Sequence, residues 1–216
     1  GRIEKYSYRT GKKREVLFDA DKFEEIDRIS GYSLSEKEDK ILIETGRERI
    51  YRRSYLADYW IYDIPAETLQ PLSQKGMQQL GTFSPDGSRV AFVRDNNLFI
   101  RDLDRNEEQQ ITFDGKKNEI INGAPDWVYE EEFGFARGFC WSPDGKKIAF
   151  YRFDERRVRQ FHMTIFGELY PESYRFKYPK AGEQNSIVSI HVYDLQSGKT
   201  IAMDTGEETD QYIPRI

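Results

Sequence analysis

The chain has 216 residues, a formal net charge of −5 and an apolar share of 38%, enough to bury a substantial core. It has no run approaching the eighteen or so apolar residues of a membrane-spanning helix. A mildly acidic balance without a basic cluster argues against nucleic acid as a partner. The single cysteine, Cys140, excludes an intrachain disulfide and any cysteine-based metal site.

In chain order, the first residues, Gly1-Arg2-Ile3-Glu4-Lys5, carry no apolar signal region. Either a targeting segment has been removed or the chain begins inside a larger protein. Tyr6 to Tyr8 and Val16 to Phe18 read as strands, the last of a preceding repeat unit over residues 1–26. Self-similarity then sets the architecture. Phe83-Ser84-Pro85-Asp86-Gly87 is followed by Ser88-Arg89-Val90-Ala91-Phe92, and Trp141-Ser142-Pro143-Asp144-Gly145 by Lys146-Lys147-Ile148-Ala149-Phe150. A worn copy, Leu34-Ser35-Glu36-Lys37-Glu38-Asp39-Lys40-Ile41-Leu42, lies upstream. Each full copy is a strand, a type I turn with Pro in its second position, and a strand of alternating character, and the worn copy has Glu36 in place of the proline. A second repeated element, Ile61-Tyr62-Asp63-Ile64, Ile100-Arg101-Asp102-Leu103 and Val192-Tyr193-Asp194-Leu195, ends a strand before a polar turn.

The predicted unit is therefore a four-stranded antiparallel meander, the size of a propeller blade. The fold class is all-β, a partial β-propeller with blades over residues 27–79, 80–118 and 119–208 and the start of another over 209–216. A β-sandwich would not repeat its turn sequence at a blade-like period. Two connections carry insertions, roughly 118–137 and 155–185. Insertions on a repeat scaffold become loops, where binding groups concentrate, and both can face one pocket.

The first insertion holds Asp126-Trp127-Val128-Tyr129-Glu130-Glu131-Glu132. Pro125 and Asp126 suit the first turn of a short helix around 125–133, because proline has no N–H to lose there and aspartate complements the helix dipole. Adjacent carboxylates repel by about 1 kcal/mol per pair at 4 Å in water and more near a low-dielectric surface. Glu131 and Glu132, about 100° apart around the axis, can grip one small cation from two directions, and a primary ammonium has three donors to offer them. A solvated acidic turn is the alternative; the aromatics Trp127, Tyr129, Phe133 and Phe135 on both sides weigh against it. Arg52, in Ile50-Tyr51-Arg52-Arg53-Ser54-Tyr55, reads either as a surface partner for the many acids or as a guanidinium fork for a carbonyl or carboxylate oxygen.

Catalytic chemistry is missing. Gly31-Tyr32-Ser33-Leu34-Ser35 lacks the closing glycine of a nucleophile elbow. His191 sits in an alternating strand as a structural residue, and His162 lies in the aromatic insertion. No phosphate-cradling loop, metal-ligand motif or calcium loop occurs, so no catalytic residue and no cofactor are implied.

The acidic run in this blade context resembles the double-glutamate motif of dipeptidyl peptidase IV and its relatives in the prolyl oligopeptidase clan. Arg52-Arg53-Ser54-Tyr55 with Tyr62-Asp63-Ile64 behind it, Trp141-Ser142-Pro143-Asp144-Gly145 and Tyr178-Pro179-Lys180-Ala181-Gly182 extend the likeness over nearly the whole chain. The resemblance implies an eight-bladed propeller followed by an α/β-hydrolase domain, here absent, that carries the Ser-Asp-His triad. It implies that Glu131 and Glu132 bind a substrate's free amino terminus, that Arg52 holds a peptide oxygen and that Glu130 supports them. The parent would release Xaa-Pro or Xaa-Ala dipeptides, act as a homodimer and reside outside the cytoplasm, in the periplasm or cell envelope, in a bacterium. The rival is a non-enzymatic propeller, an interaction scaffold or a catalytically dead relative, whose acidic helix is a protein-contact surface.

Overall fold

The structure, a computed structural model, describes all 216 residues. It begins with an antiparallel pair, β1 (Arg2–Tyr6) and β2 (Lys13–Asp19), followed by a single 3-10 turn at Ala20–Lys22. Three sheets follow in chain order. The first blade is the meander β3 (Gly31–Leu34), β4 (Lys40–Arg49), β5 (Tyr55–Asp63) and β6 (Thr68–Pro71). The second is β7 (Gln79–Phe83), β8 (Arg89–Arg94), β9 (Asn97–Asp102) and β10 (Glu107–Gln110). In the third, β11 (Ile120–Asn122) and β12 (Phe139–Trp141) share one edge of β13 (Lys147–Asp154). The helix α1 (Trp127–Glu132) lies between them in sequence. On the other edge of β13 run β16 (Ile187–Asp194) and β17 (Lys199–Ala202), after a separate hairpin of β14 (Gln160–Ile165) and β15 (Glu172–Lys177). No helix is long and apolar enough to cross a membrane.

The repeated turns have one geometry. The Ser84 hydroxyl donates to Asp86 and accepts the Arg89 N–H, and the Gly87 N–H closes the turn on the Ser84 carbonyl. Ser142, Asp144, Lys147 and Gly145 do the same. The worn copy keeps the shape with other residues: Ser35 donates to Asp39, two positions later than the acceptor of the full copies, and Glu38 takes the left-handed site at φ 54° that glycine holds elsewhere, at 73° and 67°. The second repeated element also has a cause. Asp63, Asp102 and Asp194 each accept a backbone N–H three residues on, from Ala66, Arg105 and Ser197, which turns the chain into the next strand.

Inner strands are buried on both faces, which corrects the expectation of alternating character. Along β4, Ile41 and Ile43 pack towards β1 and β2 with Phe18 and Tyr62, while Leu42 points the other way, into a cluster with Tyr59, Val90, Phe92 and Phe99. Along β8, Val90 and Phe92 belong to that cluster, but Ala91 and Val93 pack with Leu98 of β9 and with Phe139, Ile148 and Phe150 of the third blade. Along β13, Ile148 and Phe150 face back to the second blade, whereas Tyr151 and Phe153 face Tyr129 of α1. A sheet sandwiched between two others needs apolar residues at consecutive positions, and Arg89-Val90-Ala91-Phe92-Val93 supplies them. Blades stacked face to face in this way are a propeller's construction.

Residues 209–216 form no strand. This segment instead lies over α1: the Ile213 N–H donates to the Tyr129 hydroxyl at 2.7 Å, and the Tyr151 hydroxyl donates to the Ile213 carbonyl at 2.8 Å.

Phe92 is fully buried between the first two blades and stacks on Phe99 at 5.4 Å. Phe92→Ala should lower unfolding free energy by about 3–5 kcal/mol, the range for truncating a core phenylalanine. Urea denaturation of the variant checks this.

Candidate functional site

The hairpin of β4 and β5 is longer than any other and carries the Arg52 segment at its tip. A bulge between Thr45 and Glu48, with Gly46 at φ 61°, breaks its register below the tip, a feature that bends a strand and increases its local twist. The tip closes through the Ile50 N–H to the Ser54 carbonyl and the Tyr51 N–H to the Ser54 hydroxyl.

The helix α1 meets this tip. It starts two residues later than the sequence suggests: Trp127 is its first residue, Asp126 is the N-cap and Pro125 precedes the cap. The Asp126 carboxylate accepts the Tyr129 N–H at 2.9 Å and the Ser186 hydroxyl at 2.7 Å, which ties the helix start to the strand β16 region. Asp126 is 6% exposed, and burial raises its pKa above the ordinary aspartate value. Tyr129, on the inner face, sits among Phe133, Phe135, Tyr151, Phe153 and Tyr212.

Three consecutive glutamates, turned about 100° from one another, have three different surroundings. Glu130 is 1% exposed, and one of its oxygens accepts the backbone N–H groups of Arg53 at 2.5 Å and Ser54 at 2.9 Å; its other oxygen has no partner. Glu131 is held by Arg52 at both carboxylate oxygens, through a hydrogen bond from Nε to Oε2 at 2.8 Å and an ion-pair contact of Nη2 with Oε1 at 2.7 Å. Such two-point, bidentate pairing of both carboxylate oxygens suits a planar guanidinium and not a lysine ammonium. Glu132 is exposed and borders a cavity of about 460 Å³ with Trp127, Tyr178, Lys180 and Tyr212. Trp127 and Tyr178 pack at 4.3 Å, so the two insertions do meet here. The structure thus joins Arg52 to Glu131, places Glu130 beneath them, and leaves Glu132 one step outside.

The histidines stay apart from this constellation. His191 stacks on Phe150 and lies 2.9 Å from the Ser189 hydroxyl, and burial lowers its pKa. His162 stands opposite Arg175 in the β14–β15 hairpin. Cys140 is half-buried in β12, and burial pushes its thiol pKa up.

Sequence reasoning missed two groups. Asp126 as a cap was legible from the Pro-Asp-Trp start, since aspartate is a favoured N-cap. Glu155 carried no signal, because Asp154-Glu155-Arg156-Arg157 reads as a charged turn, yet Glu155 is 5% exposed. Burial, reinforced by the Asp126 charge, pushes its pKa up to about 7.

Fold and site together define an arc of propeller blades in which an acidic insertion helix is docked on an arginine-bearing hairpin. The family described as the dipeptidyl peptidase IV N-terminal region matches residues 35–216, and the chain belongs to that family. It is 39% identical over 187 residues to a probable dipeptidyl-aminopeptidase B of Emericella nidulans, which covers 79% of this chain and 20% of the relative. It is 40% identical over 182 residues to the corresponding Colletotrichum graminicola protein, covering 76% and 20%. The crystal structure of Porphyromonas gingivalis dipeptidyl peptidase 4 superimposes with a TM-score of 0.94 at 44% identity, over 99% of this chain and 31% of that one. The chain therefore spans about a fifth of the length of these curated relatives.

Two outcomes follow from the geometry. Glu130→Ala leaves two backbone donors without an acceptor and should cost about 2–4 kcal/mol, while Glu130→Gln retains an amide oxygen for them and should cost less; chemical denaturation of both variants separates these values. Glu155 makes stability depend on pH. A carboxyl whose folded pKa is raised contributes stability that is complete below its ordinary value of 4.5 and is lost as pH rises through about 7. The loss across that window is about 3 kcal/mol. Glu155→Gln should flatten the profile between those limits in denaturation measured at a series of pH values.

Proposed function

We propose that this chain is the substrate-binding part of the propeller of a serine exopeptidase that releases Xaa-Pro or Xaa-Ala dipeptides from free amino termini. Glu131 and Glu132 take the substrate's α-ammonium, and Arg52 takes the carbonyl oxygen of the penultimate residue. The observation that carries the reading is the bidentate Arg52–Glu131 pair, held in place by Glu130 clamping the backbone of the same tip.

Of the five N–H donors on a guanidinium, two are directed at Glu131, so others remain for a peptide oxygen. The Arg52 side chain is 70% exposed, so these donors are accessible. An ammonium between Glu131 and Glu132 offsets the repulsion between neighbouring carboxylates. A blocked or internal peptide brings no such charge, so that on closing the site it leaves Glu132 without a counter-charge and Glu131 with Arg52 alone. Fixing the amino terminus also fixes the bond two residues on. Specificity for dipeptide release is then a matter of length, with orientation supplied by binding. The nucleophile belongs to a hydrolase domain in the remainder of the parent, which this reading places outside the cytoplasm as a homodimer. The chain by itself should release no chromophore from a Gly-Pro anilide.

In the intact parent, Glu131→Gln and Glu132→Gln should each lower kcat/KM roughly thirty-fold to several-thousand-fold, the equivalent of about 2–5 kcal/mol for breaking a closed charge pair. Arg52→Ala should lower it too. Because Arg52 and Glu131 touch, their effects should fall short of additive in a double-mutant cycle. Labelling by a serine-directed fluorophosphonate, which needs no amino terminus, should stay near wild type. Unchanged turnover in the glutamine variants would overturn the proposal and favour a contact surface, and parallel loss of labelling would point to a damaged fold.

A further inference from the structure

A second cavity, of about 520 Å³, is lined in part by the same hairpin tip. It is bounded by Tyr51 of the tip, by the 115–118 turn, and by Tyr174 and Phe176 of β15, with Glu155 among its lining residues. Arg52, Glu131 and Glu132 do not line it. Gly115 is needed where the turn approaches β9: a Cβ there would lie 2.2 Å from the Asn96 carbonyl oxygen, so the wall is held at a fixed distance.

Glu155 is the unusual member. It is 95% buried by the measure of its 5% exposure, yet no cation lies within ion-pair distance of it. The lysine that acts on it most, Lys177, is committed elsewhere, donating to the Val158 carbonyl at 2.6 Å. Its carboxyl has the Asn118 backbone N–H as a donor, and the carboxylates that act on it, Asp126 and Asp154, are of its own sign. Buried carboxylates are normally paired, and leaving one without a cation is costly. Tyr51 faces it from the tip; burial and the Glu155 charge raise the phenol's pKa, so it stays neutral. The Tyr51 and Phe176 rings, 5.9 Å apart, form an aromatic wall.

We propose that this cavity binds a small organic cation, a primary ammonium or guanidinium such as that of a basic side chain, with its charge on Glu155 and its hydrocarbon part against Tyr51 and Phe176. An aromatic wall favours such a group over a bare metal ion, because ring faces attract cations and accept methylenes. The basic residues of the cavity, Lys116, Lys117 and Arg175, are exposed at its rim, and Lys116 is paired with Glu119. Solvent screens these charges far more than it screens Glu155 at the buried end. Asp95, also a lining residue, adds a charge of the favourable sign.

Binding depends on pH through Glu155, whose neighbours are Asp126 at the helix cap, Asp154 beside it, Lys177 on β15 and Tyr51 on the tip. With a pKa of about 7 in the empty cavity, the ionised form prevails at pH 8 and is a small minority at pH 5.5.

Calorimetric titration with phenethylammonium tests the site in the intact polypeptide that carries this chain. The background is Glu131→Gln with Glu132→Gln, so that an amine site there cannot contribute and the outcome is independent of the proposed peptidase reading. One site with a Kd of roughly 0.1–1 mM is expected at pH 8, weakening more than tenfold at pH 5.5. Adding Glu155→Gln should abolish the heat. That substitution is isosteric and removes a buried charge, so an unlowered melting temperature confirms the fold. Tyr51→Leu should weaken binding severalfold. No heat in the double-glutamine background at roughly 10 mM probe, or heat that survives Glu155→Gln, overturns the proposal.

Discussion

The contact on which the candidate site depends is the buried Glu130 carboxylate accepting the backbone N–H groups of Arg53 and Ser54. It joins residues 77 apart in sequence, one on a hairpin tip of the first blade and one on a helix inserted in the third. Backbone donors at the turn of a long hairpin have no sheet neighbour to satisfy them, and a carboxylate gives them a stronger acceptor than water-exposed side chains could. The consequence is geometric. With the tip's backbone clamped, the Arg52 side chain can reach only a limited region, and Glu131, the next residue on the helix, occupies it. The ion pair at the surface is therefore oriented by a neutral-to-ionic clamp beneath it, which differs from an ordinary exposed pair held by its own attraction alone.

The helix is held as firmly from behind. Six residues are too few for a helix to be stable in water, so α1 persists through its cap and its buried face. Asp126 closes the start, Tyr129 is enclosed by five rings, and the 212–213 segment covers it. The stacking of blades makes this possible, because the outer face of β13 offers Tyr151 and Phe153 to Tyr129 while its inner face belongs to the propeller core.

Much of the fold was legible because its signals are local. Ser-Pro-Asp-Gly encodes a turn by its own side-chain hydrogen bonds, so two good copies and the worn one at Ser35 mark three blades. Asp63, Asp102 and Asp194 mark strand ends for the same reason. The two-sided burial of β4, β8 and β13 was not legible as such, since a short apolar run does not say how many sheets surround it. Nor was the β14–β15 hairpin, whose partners are only each other. In the site, the acidic run and Arg52 were visible as chemistry. The division of labour among Glu130, Glu131 and Glu132 was not, because it depends on how the helix is rotated against a scaffold built from distant strands.

Successive residues of one tip serve different compartments. Tyr51 faces the cavity that Glu155 lines, Arg52 faces Glu131, and the N–H groups of Arg53 and Ser54 face Glu130. Asp126 links the two sides electrostatically: it caps the helix that carries the glutamates and is also the strongest acidic influence on Glu155. A cation beside Glu155 would relieve the repulsion that Asp126 feels there, and so would favour the ionised cap that anchors the helix start. By linkage, any charge change at Asp126 on the helix side must act back on Glu155 with equal free energy. That coupling is a direct charge interaction across the space beside the hairpin tip, which is clamped by one buried carboxylate and flanked by the two others.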